Sequence, residues 1–128
     1  VGTLILDASA LIGLLDDADD HHQRAVDDVE AADEASTDLV APASAYSEAM
    51  VAFARVGRIR DAREAVAAMG IRVSPLDART AERAAELRAR HDRLRLPDAI
   101  VLATARELGG KLLSYVERLA RYASVDDR

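Results

Sequence analysis

The chain has 128 residues, half of them apolar, and its aromatics are limited to Phe53, Tyr46, Tyr115 and Tyr122. This predicts one domain with an aliphatic core. It has no cysteine, which excludes disulfides and thiolate metal sites, and no apolar run approaches the roughly 20 residues of a membrane span. A formal charge of −6 argues against a general nucleic-acid coat protein, though not against an enzyme that touches nucleic acid locally.

Thr3 to Leu6 reads as a short buried strand, continuously apolar rather than alternating. Asp7 interrupts this apolar start, which argues against a signal peptide and makes a cytoplasmic protein the expectation. A helix from about Ser9 to Leu15 follows and is broken by Asp16 to Asp20. From about His21 to Ala35, Ala25, Val29 and Ala32 recur at helical spacing. Asp38 to Ala41 reads as the second strand, closed by Pro42, and Ala43 to Val56 as a helix stopped by Gly57. Ile59, Ala62, Val66 and Met69 mark the next helix, which Gly70 ends. Ile71 to Val73 is a brief strand before the Ser74-Pro75 turn, and Arg79 to His91 is a helix with a thin apolar stripe. Pro97 suits the first turn of a helix that Gly109-Gly110 terminates. Lys111 to Ser114 is the last strand, and a short helix over Glu117 to Tyr122 leads into a polar tail from about 123. Strands alternating with helices predict right-handed crossovers and a three-layer α/β/α domain over 1–128. Its central parallel sheet should have four to five strands.

Three carboxylates stand where different elements should meet. Asp7 follows the first strand, Glu48 lies in the helix over 43–56, and Asp98 opens the helix after Pro97. Parallel α/β sheets gather their ligands at the carboxyl ends of the strands. Clustered acids repel one another unless a cation lies between them, which makes a divalent metal site the first hypothesis. Each acid also has a plainer role. Asp7 or Ser9 would cap the following helix. Glu48 shares a narrow polar strip with Ser44 and Arg55, and that strip would serve equally well facing water. Asp98 would favour the positive end of its own helix, although the helix is apolar on every side and leaves the acid partly desolvated.

Other polar groups offer less. Asp16, Asp17, Asp19 and Asp20 with His21 and His22 lack calcium-loop spacing, and adjacent histidines on a helix diverge by about 100°. A polar loop with a capped helix start accounts for them. Lys111 is the sole lysine among the 17 basic residues. The arginines gather as Arg55, Arg58, Arg60 and Arg63 and as Arg88, Arg90, Arg93 and Arg95, suited either to phosphates or to solvated helix faces.

Taken in order, Asp7-Ala8-Ser9, Ser44 through Glu48, Leu96-Pro97-Asp98-Ala99-Ile100 with Ala103-Thr104-Ala105, and Leu112-Leu113-Ser114 resemble the PIN domain. At this size the chain resembles the VapC toxins of bacterial type II toxin–antitoxin pairs, and the likeness covers nearly its whole length. The resemblance implies an RNA endonuclease dependent on Mg²⁺ or Mn²⁺ and held inactive by a cognate antitoxin. It also implies a homodimer or a toxin–antitoxin hetero-oligomer. Position by position, Asp7, Glu48 and Asp98 match the family's catalytic metal-binding acids, with Ser9 and Ser114 beside them. The departure is Val116, which stands where a fourth acid is expected, with Glu117 one residue later. Val116 motivates a rival reading, a catalytically impaired PIN module that acts by binding protein or RNA. A phosphorelay receiver shares the size and sheet type but needs an acidic pair at the first strand, where only Asp7 stands. Helices 43–56 and 59–69 should form a hairpin. Its Tyr46, Met50, Phe53, Val66 and Met69 would either receive an antitoxin helix or fill the chain's own core.

Overall fold

The computed structural model of the protein describes residues 2–123. In chain order the elements are β1 (Thr3–Leu6), α1 (Ala8–Leu15), α2 (His22–Glu34), β2 (Asp38–Pro42), α3 (Ala43–Arg55), α4 (Ile59–Ala68), β3 (Ile71–Ser74), α5 (Ala78–Arg90), α6 (Leu96–Leu108), β4 (Lys111–Leu113) and α7 (Glu117–Ala123). Boundaries predicted from the sequence fall within about two residues of these. Pro42 belongs to β2 instead of following it, and Ala123, expected in the tail, closes α7. The rest of the expected tail lies outside the described residues.

The strands form one parallel sheet in the order β3-β2-β1-β4, flanked by helices in the α/β/α arrangement expected. β1 is central: Ile5 pairs with Val40 on one side and Leu112 on the other. Both Ile5 and Val40 are fully buried, which explains why these strands read as unbroken apolar runs. The chain steps outward from β1 to β2 to β3 and then returns across β1 to lay down β4. Strand order therefore reverses between β1 and β4, and such a switch point leaves a crevice at the strand carboxyl ends.

Glycines make that return possible. Gly109 ends α6 in the left-handed region at φ +63°, which costs an L side chain strain. A Cβ on Gly110 would stand 3.0 Å from the Thr3 carbonyl oxygen and 3.1 Å from Ile5 Cγ1, so only glycine lets the chain pass this close to β1.

Buried side chains form two clusters. The first joins Ile5 and Leu6 to Leu11, Val40, Met50 and Val66, with Val101 and Ala105 of α6. The second joins Ala84 and Leu87 of α5 to Leu94, Ala99 and Leu102, and to Leu119 of α7. α6 is shared by both, which explains why its Ala99 to Ala103 stretch is apolar on every side. In the α3/α4 hairpin, Met50 and Val66 are buried, and Tyr46 and Phe53 pack on the first cluster. Four of the five side chains suggested for a partner groove thus fill the core. The apolar groups left in the open there are Val51, Val56, Ile59 and Met69.

Candidate functional site

The crevice between β1 and β4 is built around Asp7, 4% exposed at the junction of β1 and α1. Its backbone N–H continues the ladder by donating to the Leu113 carbonyl at 3.2 Å, which fixes it against the end of β4. Asp7 Oδ1 accepts from the Ala10 amide at 2.9 Å and from Ser9 Oγ at 2.6 Å. Asp7 Oδ2 accepts from Ser114 Oγ at 2.5 Å. The capping role and the placement at the crevice are therefore the same arrangement. With two lone pairs per oxygen, one acceptor direction on Oδ2 is left over.

Ser9 and Ser114 tie the two loops together. Ser9 Oγ accepts from the Tyr115 amide at 2.9 Å, and Ser114 Oγ accepts from the Val116 amide at 3.1 Å. Tyr115 continues the clamp: its hydroxyl donates to Asp28 Oδ2 at 2.6 Å, and its ring stacks on His21 at 5.0 Å. Burial and that hydrogen bond push the phenol pKa up, so Tyr115 stays a donor. His21 and His22 do separate. His21 is stacked on Tyr115, and His22 Nδ1 lies 2.8 Å from the Gly13 carbonyl.

Glu48 and Asp98 share the electrostatics of this crevice. Burial raises the Glu48 carboxyl above its usual range; Arg95 opposes the rise, while Asp98 and Asp7 add to it. Burial also raises Asp98; Arg95 and Arg118 pull it back, and Asp7 adds to the rise. By surface area Glu48 is exposed, so its burial is that of a group at a cleft mouth. The Asp98 side chain is 18% exposed, and Arg118 Nη2 stands 3.7 Å from its Oδ2. Three acids from β1, α3 and α6 thus act on one another, offset by guanidiniums at the start of α6 and on α7.

The donors are all oxygen, the chemistry a hard cation takes. Among the described residues, no three His, Asp or Glu side chains converge closely enough to hold an ion by themselves. A hard cation there would need water for much of its shell. Two further observations fit such a site. Asp7 retains a free lone pair, and Ser44 Oγ, one turn before Glu48, is buried without a hydrogen-bond partner among the described residues.

Val116 and Glu117 both stand at the start of α7. Val116 is half-buried and packs against the second cluster. Its carbonyl accepts from the Leu119 and Ala120 amides at 3.0 and 3.1 Å, which makes it the residue that starts α7. Glu117 is exposed in the first turn of that helix. Arg118 carries no signal in the sequence, because its partner Asp98 is 20 positions away. Arg95, by sequence one of a group of phosphate-binding or solvated arginines, acts instead on two acids, a place that depends on how α6 docks. Of the other arginine group, Arg58 pairs with Asp61 at 3.1 Å in the open, as a solvated helix face does.

The fold has relatives among known proteins. The family model described as the PIN domain matches residues 4–125. Among solved structures, VapC20 of Mycobacterium tuberculosis, described as a sarcin–ricin loop cleaving toxin, superposes with a TM-score of 0.74. It is 20% identical, with 98% of each chain covered. A toxin–antitoxin complex from Klebsiella pneumoniae superposes with a TM-score of 0.67 at 24% identity, covering 87% of this chain and 84% of that one. A search among curated proteins finds no significant match.

Proposed function

This chain belongs to the PIN-domain family, and from that premise we propose that it is the toxin of a type II toxin–antitoxin pair: an endoribonuclease that depends on Mg²⁺ or Mn²⁺ and is neutralised by a cognate antitoxin. The observation that carries this reading is Asp7, nearly buried at the β1/β4 switch point and held by Ser9, Ser114 and the Ala10 amide, with Glu48 and Asp98 near enough to act on it electrostatically. The structural likeness to an RNA-cleaving toxin and to a toxin–antitoxin complex supports the substrate and the partner. Among the described residues no helix is long and apolar enough to cross a membrane. On this reading the toxin is cytoplasmic and acts as a homodimer or in a hetero-oligomer with its antitoxin.

Asp7, Glu48 and Asp98 would hold the cation, with water completing its shell. When bound, the ion would supply polarisation of the scissile phosphate and acidify water for attack. The chain's own groups do the positioning. Ser9, Ser114 and the Ala10 amide lock the Asp7 carboxylate so that its remaining lone pair faces one direction. Glu48, at the mouth, keeps the freedom to take or release a proton from a water molecule. Arg95 and Arg118 offset negative charge that the substrate phosphate brings to a site already holding three acids.

Cleavage of total RNA with and without Mn²⁺ tests the reading. Wild type cuts only with metal, and Asp98→Asn loses activity by at least about a hundredfold, the scale of removing one strong electrostatic group. An unchanged rate in Asp98→Asn would remove the acid from the site. The rival reading, a PIN module that binds without cutting, draws on the apolar packing of Val116 where a fourth acid is expected. Wild type that binds RNA but leaves it whole at saturating Mn²⁺ would establish it.

A further inference from the structure

Arg118, which reaches Asp98, also lines a cavity of about 420 Å³ together with Arg93, Arg121 and Tyr122. Local structure accounts for this gathering. Arg118, Arg121 and Tyr122 are spaced i, i+3 and i+4 on α7 and so share one face, while Leu119, 1% exposed, turns into the second cluster. Arg93 comes from the turn between α5 and α6. Its neighbour Leu94 is 2% exposed in the same cluster and donates its amide to the His91 carbonyl at 2.9 Å. The Tyr122 ring meets His91 edge-on at 5.2 Å, which fixes the cavity wall. Three of the described lining side chains are guanidiniums.

We propose that this cavity seats a backbone phosphate of single-stranded RNA, adjoining the scissile phosphate at the acids. The inference rests on the ribonuclease reading above. Guanidinium forks match phosphate oxygens bidentately, and the tyrosine ring adds an amphipathic wall on which a sugar or base can rest. The volume has room for a phosphate and its flanking sugar. Arg118 belongs to both places: its contact with Asp98 is long and half exposed, hence weak, and it turns toward a phosphate at little cost. The strand would thus leave the acids across α7, and a chain of formal charge −6 would hold a polyanion through one local patch.

The test is the double variant Arg93→Gln/Arg121→Gln, with Arg118 intact. Binding of a fluorescein-labelled oligouridylate is followed by anisotropy in EDTA over a range of salt, and cleavage is followed with Mn²⁺. Affinity at about 0.1 M salt should fall about tenfold, and the salt slope by about 0.7 for each phosphate that is no longer neutralised. KM should rise with kcat held within about twofold. Arg93→Gln alone, which leaves α7 untouched, should fall about threefold in affinity, and Arg60→Gln on α4 should not change. If wild type cleaves RNA while the double variant keeps its affinity and salt slope, the phosphate seat is wrong and the ribonuclease reading stands. Wild type that neither binds oligouridylate nor cuts RNA would remove both. A variant that loses binding to an oligoglutamate peptide but keeps its RNA affinity would overturn the proposal in favour of an acidic protein partner.

Discussion

Asp7 and Asp98 are both carboxylates of the same crevice, yet they relate to stability in opposite ways. Asp7 satisfies a helix amide and two hydroxyls, so Asp7→Ala leaves three donors unpaired and should cost about 2–3 kcal/mol. Asp98 is held by one long ion pair, while burial and Asp7 push its pKa up. An acid raised in the folded state favours its protonated native form. The stability it contributes is fully present below its ordinary value, 3.8 for Asp98, and is lost as pH rises through the raised folded value. Asp98→Asn removes that loss. In metal-free buffer its melting temperature should exceed that of wild type by about 2 °C at pH 7, on the order of 0.5 kcal/mol for a domain of this size. The gap should close as pH falls toward about 4. A gap independent of pH, or a destabilised variant, would show that Asp98 serves mainly the α6 dipole. The sequence exposes Asp7, Ser9 and Ser114 because short-range signals mark them: a strand end, a cap and a turn. It does not expose Arg118 or the role of Arg95, whose partners are set by how helices dock.

Element by element, the alternation of short apolar runs with 3.6-periodic stretches is legible because Gly57, Gly70 and Gly109, all at positive φ, punctuate it. Two matters are not legible. The division of the core depends on which face of α6 meets which neighbour, and the Ala99 to Ala103 run, apolar on every side, does not decide it. The start of α7 is hidden for a related reason. By sequence Val116 is a gap in an acid set, whereas the structure gives it a helix start and a place in the second cluster. Valine is a poor capping residue, so an Asp or Asn there should bond free amides of α7 and contribute about 1 kcal/mol, less the apolar contact it gives up. The net change in stability for either variant should be within about 1 kcal/mol. Val116→Asp and Val116→Asn cap alike but differ by one charge. If position 116 reaches the acids, calorimetry should show Val116→Asp binding Mn²⁺ more tightly than Val116→Asn. Equal affinities would assign the position to α7 alone and leave Asp7, Glu48 and Asp98 as the whole acid set.

At the scale of the molecule, the acids straddle the two clusters of the core. Asp7, where β1 meets α1, and Glu48, on α3, stand beside the first cluster, while Asp98, on the α6 shared by both clusters, and Arg118, on α7, stand beside the second. A cation shared by Asp7, Glu48 and Asp98 would therefore link the two halves of the fold, and offset the burial and, to a lesser degree, the mutual repulsion that raise both carboxyls. Binding to the folded state alone stabilises it by about 2.7 kcal/mol at a hundredfold excess over Kd, which should raise the melting temperature by about 10 °C. Because the acids must be ionised to bind, protons compete with the metal. The Mn²⁺-induced shift should be largest near neutral pH and shrink as pH falls through the raised values of Glu48 and Asp98, whose ordinary values are 4.5 and 3.8. Scanning calorimetry of wild type and Asp98→Asn, with and without Mn²⁺ from about pH 7.5 to 4.5, measures this directly. Wild type should show one transition that moves with metal, and Asp98→Asn one that does not. A shift of equal size in both proteins would place the metal elsewhere, and a shift that grows on acidification would mean that these carboxylates are not its ligands.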